Sequence, residues 1–306
     1  MPRHFLDLFD INAAEAIMLL DRASALKTTP FESPGHAAGK ILGLIFEKPS
    51  LRTRLSFEDA MAGLGGTSTF LRGKDVGLGV RESVHDFARV VSQYVAALAV
   101  RTFAHGKVEE LARHAAIPII NALSDDAHPC QAMADMLTVR EALGRLDSTV
   151  KLVFVGDGNN VARSLAVASS LFGVSFVLTA PGEYDFPAAF RTRFAEAFPN
   201  VPLVLETDPK RAVSGAHVVY TDVWASMGQE DEAALRGAIF APYQVNAELM
   251  AAADPSAIFL HCLPAHRGEE VTDDVLDSDR SLVILQAANR LHFQRALLDW
   301  LLTDAR

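Results

Sequence analysis

Short, uniformly apolar runs alternate along the chain with longer segments whose apolar residues recur every three to four positions. The runs at residues 40–47, 95–101, 151–155, 175–179, 201–205, 217–222 and 257–261 predict strands. Between them, residues 84–93, 129–143 and 161–172 carry the helical period. Strands that are apolar on both faces and separated by helices predict parallel sheets covered on both sides. The stretch 144–150 is short, polar and glycine-containing, and a fresh strand–helix series begins after it. The expected class is therefore α/β with two domains, each a mostly parallel sheet with helices on both faces. The first spans residues 1–145 and the second 150–286, while a last helix within 287–306 is expected to pack back on the first.

Composition narrows the function. A chain of 306 residues suits two ordinary domains and can bury a large core without covalent staples. The formal charge is −10 and the sequence pI about 5.5, so no basic stripe is available for nucleic acid or an anionic membrane. An anionic small molecule is still possible, because a pocket can be basic inside an acidic protein. Two cysteines, Cys130 and Cys262, make no disulfide framework. With no Cys-x-x-Cys or His-x-x-x-His pair, neither a metal nor another cofactor is expected. No leader and no run of eighteen apolar residues is visible, so a cytoplasmic chain is expected.

The candidate chemistry sits where predicted strands end. Lys48-Pro49-Ser50-Leu51-Arg52-Thr53-Arg54 follows a strand and opens a helix, with Ser50 a good N-cap residue. Helix starts favour acids because their unpaired N–H groups make that end positive, yet Arg52 and Arg54 stand in the first turns. A bound phosphate resolves the conflict, since backbone N–H groups, hydroxyls and a guanidinium would converge on it. An ordinary cap with solvated arginines would have the same spacing. His128-Pro129-Cys130-Gln131 starts another helix, Pro129 suiting its first position, and places His128 and Gln131 at the helix mouth. His128 is either a carbonyl donor there or a plain capping histidine.

Gly156-Asp157-Gly158-Asn159-Asn160-Val161 resembles half of a dinucleotide fingerprint, but Val161 stands where the third glycine belongs. Asn159 and Asn160 offer amides at a strand's carboxyl end, where open α/β sheets bind ligands. Thr221-Asp222-Val223-Trp224-Ala225-Ser226-Met227-Gly228 ends another strand, and Asp222 suits an ammonium or a loop cap. His261-Cys262-Leu263-Pro264 closes a third apolar run, and Asn289-Arg290 opens the predicted last helix.

Taken in this order, these pieces resemble the aspartate/ornithine transcarbamoylase family, and within it the ornithine branch. The matching stretches are residues 46–58, 101–103, 128–131, 156–160, 222–228, 261–270 and 289–292, and the likeness runs from about Phe5 to Leu302. The resemblance implies one α/β domain for carbamoyl phosphate and one for the amino acceptor, L-ornithine, in a homotrimer or an assembly of trimers. It implies that Ser50, Leu51, Arg52 and Thr53 hold the phosphate. Arg101, His128, Gln131 and Arg290 would contact the carbamoyl group or its phosphate, and the backbone at Cys262 and Leu263 would complete the pocket. Asn160, Asp222, Ser226 and Met227 are the implied acceptor set. Arg101, His128 and Cys262 are the implied catalytic residues, Cys262 as an aid to deprotonating the amine.

Three positions depart from the family's pattern. Leu51 stands for a threonine, Phe87 for a threonine, and Ala288 for a glutamate. A related acceptor (N-acylated ornithine or putrescine) and a non-catalytic paralogue that kept the pocket are the alternatives. A nucleotide-binding oxidoreductase is a third, resting on Gly156-Asp157-Gly158.

Overall fold

The computed structural model describes residues 2–28, 36–225 and 230–303. The chain forms two compact units, Met1–Leu137 with Ala288–Arg306, and Thr138–Ala287. In the first unit, α1 (Ala13–Thr28) precedes β1 (Ile41–Phe46), α2 (Leu51–Ala62), β2 (Thr67–Arg72), α3 (Gly73–Val76) and α4 (Val84–Val91). There follow β3 (Ala97–Arg101), α5 (His105–His114), β4 (Ile119–Leu123) and the start of α6 (Pro129–Leu143). The second unit runs β5 (Lys151–Val155), α7 (Asn160–Phe172), β6 (Ser175–Thr179), α8 (Ala188–Ala197), β7 (Val204–Glu206) and α9 (Pro209–Val213). It continues with β8 (Val218–Thr221), α10 (Ala233–Phe240), α11 (Ala247–Ala252), β9 (Ile258–His261) and α12 (Asp273–Leu276). Helix α13 (Val283–Thr303) begins in the second unit, and its larger part, from Ala288, belongs to the first.

Both sheets are parallel in every described pairing, in the orders β2-β1-β3-β4 and β7-β6-β5-β8-β9. Strands β1, β3 and β8 and the edge strand β9 are buried along nearly their whole length, whereas the edge strands β2 and β7 are half-buried. In the first unit, Ile45, Leu98, Val100 and Ile119 of the sheet meet Val84, Ala88 and Val91 of α4 and Val108 and Leu111 of α5. Phe87 packs against this cluster, so the ring at that departure from the family pattern is absorbed by the core.

Some elements differ from the sequence expectation. The pattern missed β2, an edge strand rich in Thr and Ser, and β4, whose apolar run is broken by Asn121. The expected strand at 201–205 shrinks to Val204–Glu206, because Pro202 has no N–H to donate to a ladder. Helix α13 starts at Val283, four residues before the expected start, so Arg290 lies in its interior.

The strand orders locate the ligand positions. Each sheet reverses its direction of growth once, between β1 and β3 and between β5 and β8. Crevices in open parallel sheets form outside the carboxyl ends of strands at such reversals. The loop carrying Ser50 leaves β1, and Arg101 ends β3; the loop carrying Asn159 leaves β5, and Asp222 follows β8.

Candidate functional site

The first unit gathers a cationic cluster at the start of α2. Ser50 is the N-cap, its hydroxyl accepting from Thr53 N–H at 3.3 Å and donating to Thr53 Oγ1 at 3.0 Å. Arg290 reaches the same atom, Nη2 donating to Thr53 Oγ1 at 2.6 Å. With two donors pointing at it, the Thr53 oxygen has its own hydrogen to give outward. Thr53, Arg101, His128, Gln131 and Arg290 are all buried. Gln131 is held by its amide, which donates to Asp135 Oδ1 at 2.8 Å. Burial first, then the charges of Arg290 and Arg101, hold the His128 imidazole well below the usual histidine range. At neutral pH it is therefore an uncharged ring within the influence of two guanidinium charges, able to donate one hydrogen bond.

The three basic residues at the α2 start separate. Arg54 is committed to Glu58 Oε1 at 2.9 Å and lies over the Phe70 ring, as a solvated helix arginine would be. Lys48, though buried, pairs with Asp125 Oδ1 at 2.5 Å and lies over Phe103. Arg52 is exposed, and among the described residues no carboxylate pairs with it. Of the three, Arg52 is the cation available to an anion at the helix start. Leu51 is 71% exposed beside it. Ala288 is exposed on α13, next to Asn289, whose Oδ1 accepts from Lys27 Nζ at 2.8 Å.

The second unit assembles an acidic counterpart. Asp222, buried after β8, accepts from Asn159 Nδ2 at 3.1 Å and from its neighbour Val223 N–H at 2.9 Å. The Cys262 thiol donates to Asp222 Oδ1 at 3.0 Å. Asn159 also caps α7, its Oδ1 accepting from the N–H groups of Val161 and Ala162. Asn160 is half-buried as the first residue of that helix. Ser226 and Met227, the other two residues of the expected acceptor set, lie outside the described residues.

The glycine loop serves the protein's own packing. A Cβ on Gly158 would come within 2.8 Å of Phe186 N, so the close backbone approach that glycine permits here is to the chain itself. This gives Gly158 a reason that involves no pyrophosphate.

Beyond β9, Leu263 adopts a left-handed backbone, φ 58°, costly for a branched side chain and found where the surroundings over-determine it. Its N–H donates to His261 Nδ1 at 2.8 Å. That fixes the tautomer, so His261 Nε2 carries the hydrogen and donates to buried Glu270 Oε1 at 3.1 Å. Gln286 then ties the strand end, accepting from His261 N–H and donating to Tyr220 OH. Asp222, His261 and Cys262 bring three ligand-type atoms within 4.8 Å of one another, but both ring nitrogens of His261 are already engaged. The sequence reading missed Asn159 as the residue that reaches Asp222, and missed the contacts of Gln286 and Arg236. Each acts across a long separation, and no local spacing announces it.

The described residues contain no helix long and apolar enough to cross a membrane. Two family models cover the chain between them. Residues 3–141 match the carbamoyl-P binding domain of aspartate/ornithine carbamoyltransferase, and residues 148–301 match its Asp/Orn binding domain. The chain is 48% identical over 307 residues to an ornithine carbamoyltransferase of Brucella suis, covering 99% of this chain and 96% of the relative. It is 47% identical to that of Acidothermus cellulolyticus, covering 100% and 98%. Among solved structures, the Pyrococcus furiosus ornithine carbamoyltransferase superposes with a TM-score of 0.92 at 47% identity, over 97% of this chain and 96% of that one. With near-complete coverage by both models and by relatives this similar, and with polar side chains clustered at the reversal of each sheet, the chain belongs to the aspartate/ornithine carbamoyltransferase family.

Proposed function

We infer that this protein transfers the carbamoyl group of carbamoyl phosphate to the side-chain amine of L-ornithine, giving citrulline and phosphate. The carrying observation is the cluster at the start of α2, where Arg290, Ser50 and Thr53 bond together beside buried Arg101 and an uncharged His128. Such a site takes a phosphate on the helix start and Arg52, and a carbonyl oxygen on the remaining donors. The ornithine branch follows from relatives that carry that name at 47–48% identity over nearly the whole chain.

The reaction forms a bond between the amine nitrogen and the carbonyl carbon and breaks the bond from that carbon to the phosphate oxygen. It needs no covalent intermediate with the protein, so orientation and charge stabilisation suffice. Arg101, the Thr53 hydroxyl and neutral His128 polarise the carbonyl oxygen, with Gln131 and Arg290 alongside. Ser50, Arg52, Thr53 and the backbone N–H of Leu51 take up charge on the leaving phosphate. Cys262 and Leu263 belong to the second unit, and Leu263 offers its carbonyl from the backbone that His261 fixes. Asp222 pairs with the α-ammonium of ornithine, and Asn160 hydrogen-bonds its α-carboxylate, with Ser226 and Met227 completing the acceptor set. An alkylammonium has a pKa near ~10, so the distal amine must lose a proton before attack. A carboxylate beside the reacting nitrogen would hold that proton, which favours the α-ammonium as the partner of Asp222.

The working assembly is proposed to be a homotrimer, or an assembly of trimers, in the cytoplasm. Leu51 and Leu55 are both exposed one turn apart on α2, and Val80 and Tyr94 are exposed in the same unit. Both cysteines are thiols, which suits a reducing compartment. Light scattering should give three times the 33.1 kDa of one chain, or a whole multiple of that trimer mass. The activity is tested by offering carbamoyl phosphate with ornithine, N-acetylornithine, putrescine or aspartate in parallel. Ornithine should be carbamoylated with by far the highest kcat/KM, and preference for another acceptor would overturn the ornithine assignment.

A further inference from the structure

Arg236 of α10 is buried, and its guanidinium joins two loops that are distant in sequence. Nη2 pairs with Asp157 Oδ2 on the loop after β5, while Nε donates to the carbonyl of Trp224 on the loop after β8. The guanidinium lies 5.1 Å from the Tyr184 ring centroid and 5.4 Å from that of Phe240, and those two rings meet edge to face at 4.7 Å. Tyr184 in turn accepts from Gly158 N–H at 2.8 Å through its backbone carbonyl. The first loop carries Asn159 and leads into Asn160; the second carries Asp222 and leads into Ser226 and Met227. Burial is the main influence against ionisation of Asp157, and the charge of nearby Asp222 disfavours it a little further. Arg236 is the main opposing influence.

We propose that Arg236 is a positioning residue for the acceptor: it fixes the spacing of the two loops and neutralises Asp157, leaving Asp222 as the carboxylate that meets the substrate ammonium. This rests on the assignment of Asp222 to the acceptor made above. A planar guanidinium can hold Asp157 with one N–H and the Trp224 carbonyl with another while stacking on rings; a lysine ammonium cannot reproduce that fork. Arg236 touches neither reacting atoms nor, by this account, ornithine itself.

The test is steady-state carbamoylation of ornithine by Arg236→Gln, Arg236→Lys, Asp157→Asn, Asp222→Asn and the double variant R236Q/D157N. In R236Q the KM for ornithine should rise about tenfold or more, the size of one displaced charge-assisted hydrogen bond, with kcat within roughly threefold and the KM for carbamoyl phosphate unchanged. R236K should show the same split in smaller measure. The double variant should recover a large part of the loss, because removing the Asp157 charge removes what Arg236 was there to neutralise; coupling of this kind is expected only between interacting groups. A purely structural arginine would lower Tm and reduce kcat for both substrates together, and that result overturns the proposal, as does an unchanged ornithine KM. If R236Q does not fold, R236K decides by the same criterion. Asp222→Asn separates the two levels. If it leaves the ornithine KM unchanged, the acceptor assignment falls and this proposal with it. If it raises that KM while the Arg236 variants do not, only the role of Arg236 falls.

Discussion

The two units solve the same topological problem with opposite charge. In both, a ligand position lies where a parallel sheet reverses its direction of growth. The first unit lines it with a helix start, arginines and a neutral imidazole; the second lines it with a buried carboxylate, an amide and a thiol. The first arrangement draws much of its specificity from one helix start, whose N–H groups and cap are local properties of the Ser50–Thr53 stretch. The second is built from contacts 63 and 40 positions apart in sequence, between Asn159 and Asp222 and between Asp222 and Cys262. A cradle of the first kind can be read from a short motif, while the second exists only once the chain has folded.

If the cationic unit works as a preorganised donor set, its loss should be the costliest. Arg101→Met should lower kcat by roughly a hundred- to thousandfold, the usual cost of one preorganised donor, with circular dichroism unchanged. A loss of only a few-fold would mean that Arg101 supports the fold instead of the reaction. Arg52→Ala should weaken carbamoyl phosphate by about ten- to a hundredfold in calorimetry, since a hydrogen bond to a charged group is worth roughly 1.5–3 kcal/mol. Near-normal affinity would return Arg52 to the class of solvated helix arginines.

The acidic unit should respond to a charge change of the opposite sense. Asp222→Asn keeps the size and removes the charge, so kcat/KM for ornithine should fall about ten- to a hundredfold while carbamoyl phosphate affinity holds. N-acetylornithine, whose α-nitrogen is uncharged, should show no comparable loss if it is used at all. Equal losses for both acceptors would detach Asp222 from the ammonium.

The neutral His128 gives the cationic unit a pH signature. Its folded-state pKa lies below the ordinary 6.5, so the unfolded chain binds the proton more readily. The stability linked to it is fully present above pH ~6.5 and is lost as pH falls below that value towards the depressed folded pKa. His128→Gln should flatten that part of a plot of denaturation midpoint against pH, and an unaltered slope would mean that His128 is already charged in the folded protein. The smallest effect is expected at Leu51. Leu51→Thr adds a hydroxyl at an exposed position beside the cradle, and should leave kcat/KM unchanged or raise it by a few-fold at most. A large loss would show that the cradle has been rebuilt around leucine.

The fold was legible where residues obey periodicity. The strands at 151–155 and 175–179 and the helix at 129–143 match the pattern residue for residue, because uniformly apolar runs and a proline at the first helical position leave few alternatives. Edge strand β2 was hidden by its polar composition, and β4 by Asn121, whose amide is spent on Leu6 O and Ser124 Oγ inside the fold. In the site, the anomaly of arginines at a helix start draws attention to Arg52 from its spacing alone. Nothing local distinguished Arg290, in the middle of a helix, from a solvated arginine; its bond to Thr53 spans 237 positions. The same holds for Arg236, whose bond to Asp157 spans 79 positions. Residues that hold other residues leave almost no trace in spacing, because their partners are chosen by topology.

In the proposed reaction one substrate's carbamoyl carbon ends on the other's side-chain nitrogen. Carbamoyl phosphate labelled with carbon-13 at the carbonyl, incubated with the protein and unlabelled L-ornithine and followed by NMR, tests it directly. The label should move into the ureido carbon of citrulline, one phosphate appearing for each citrulline. Label that stays in carbamoyl phosphate, or leaves only as its breakdown products at the rate seen without protein, would contradict it.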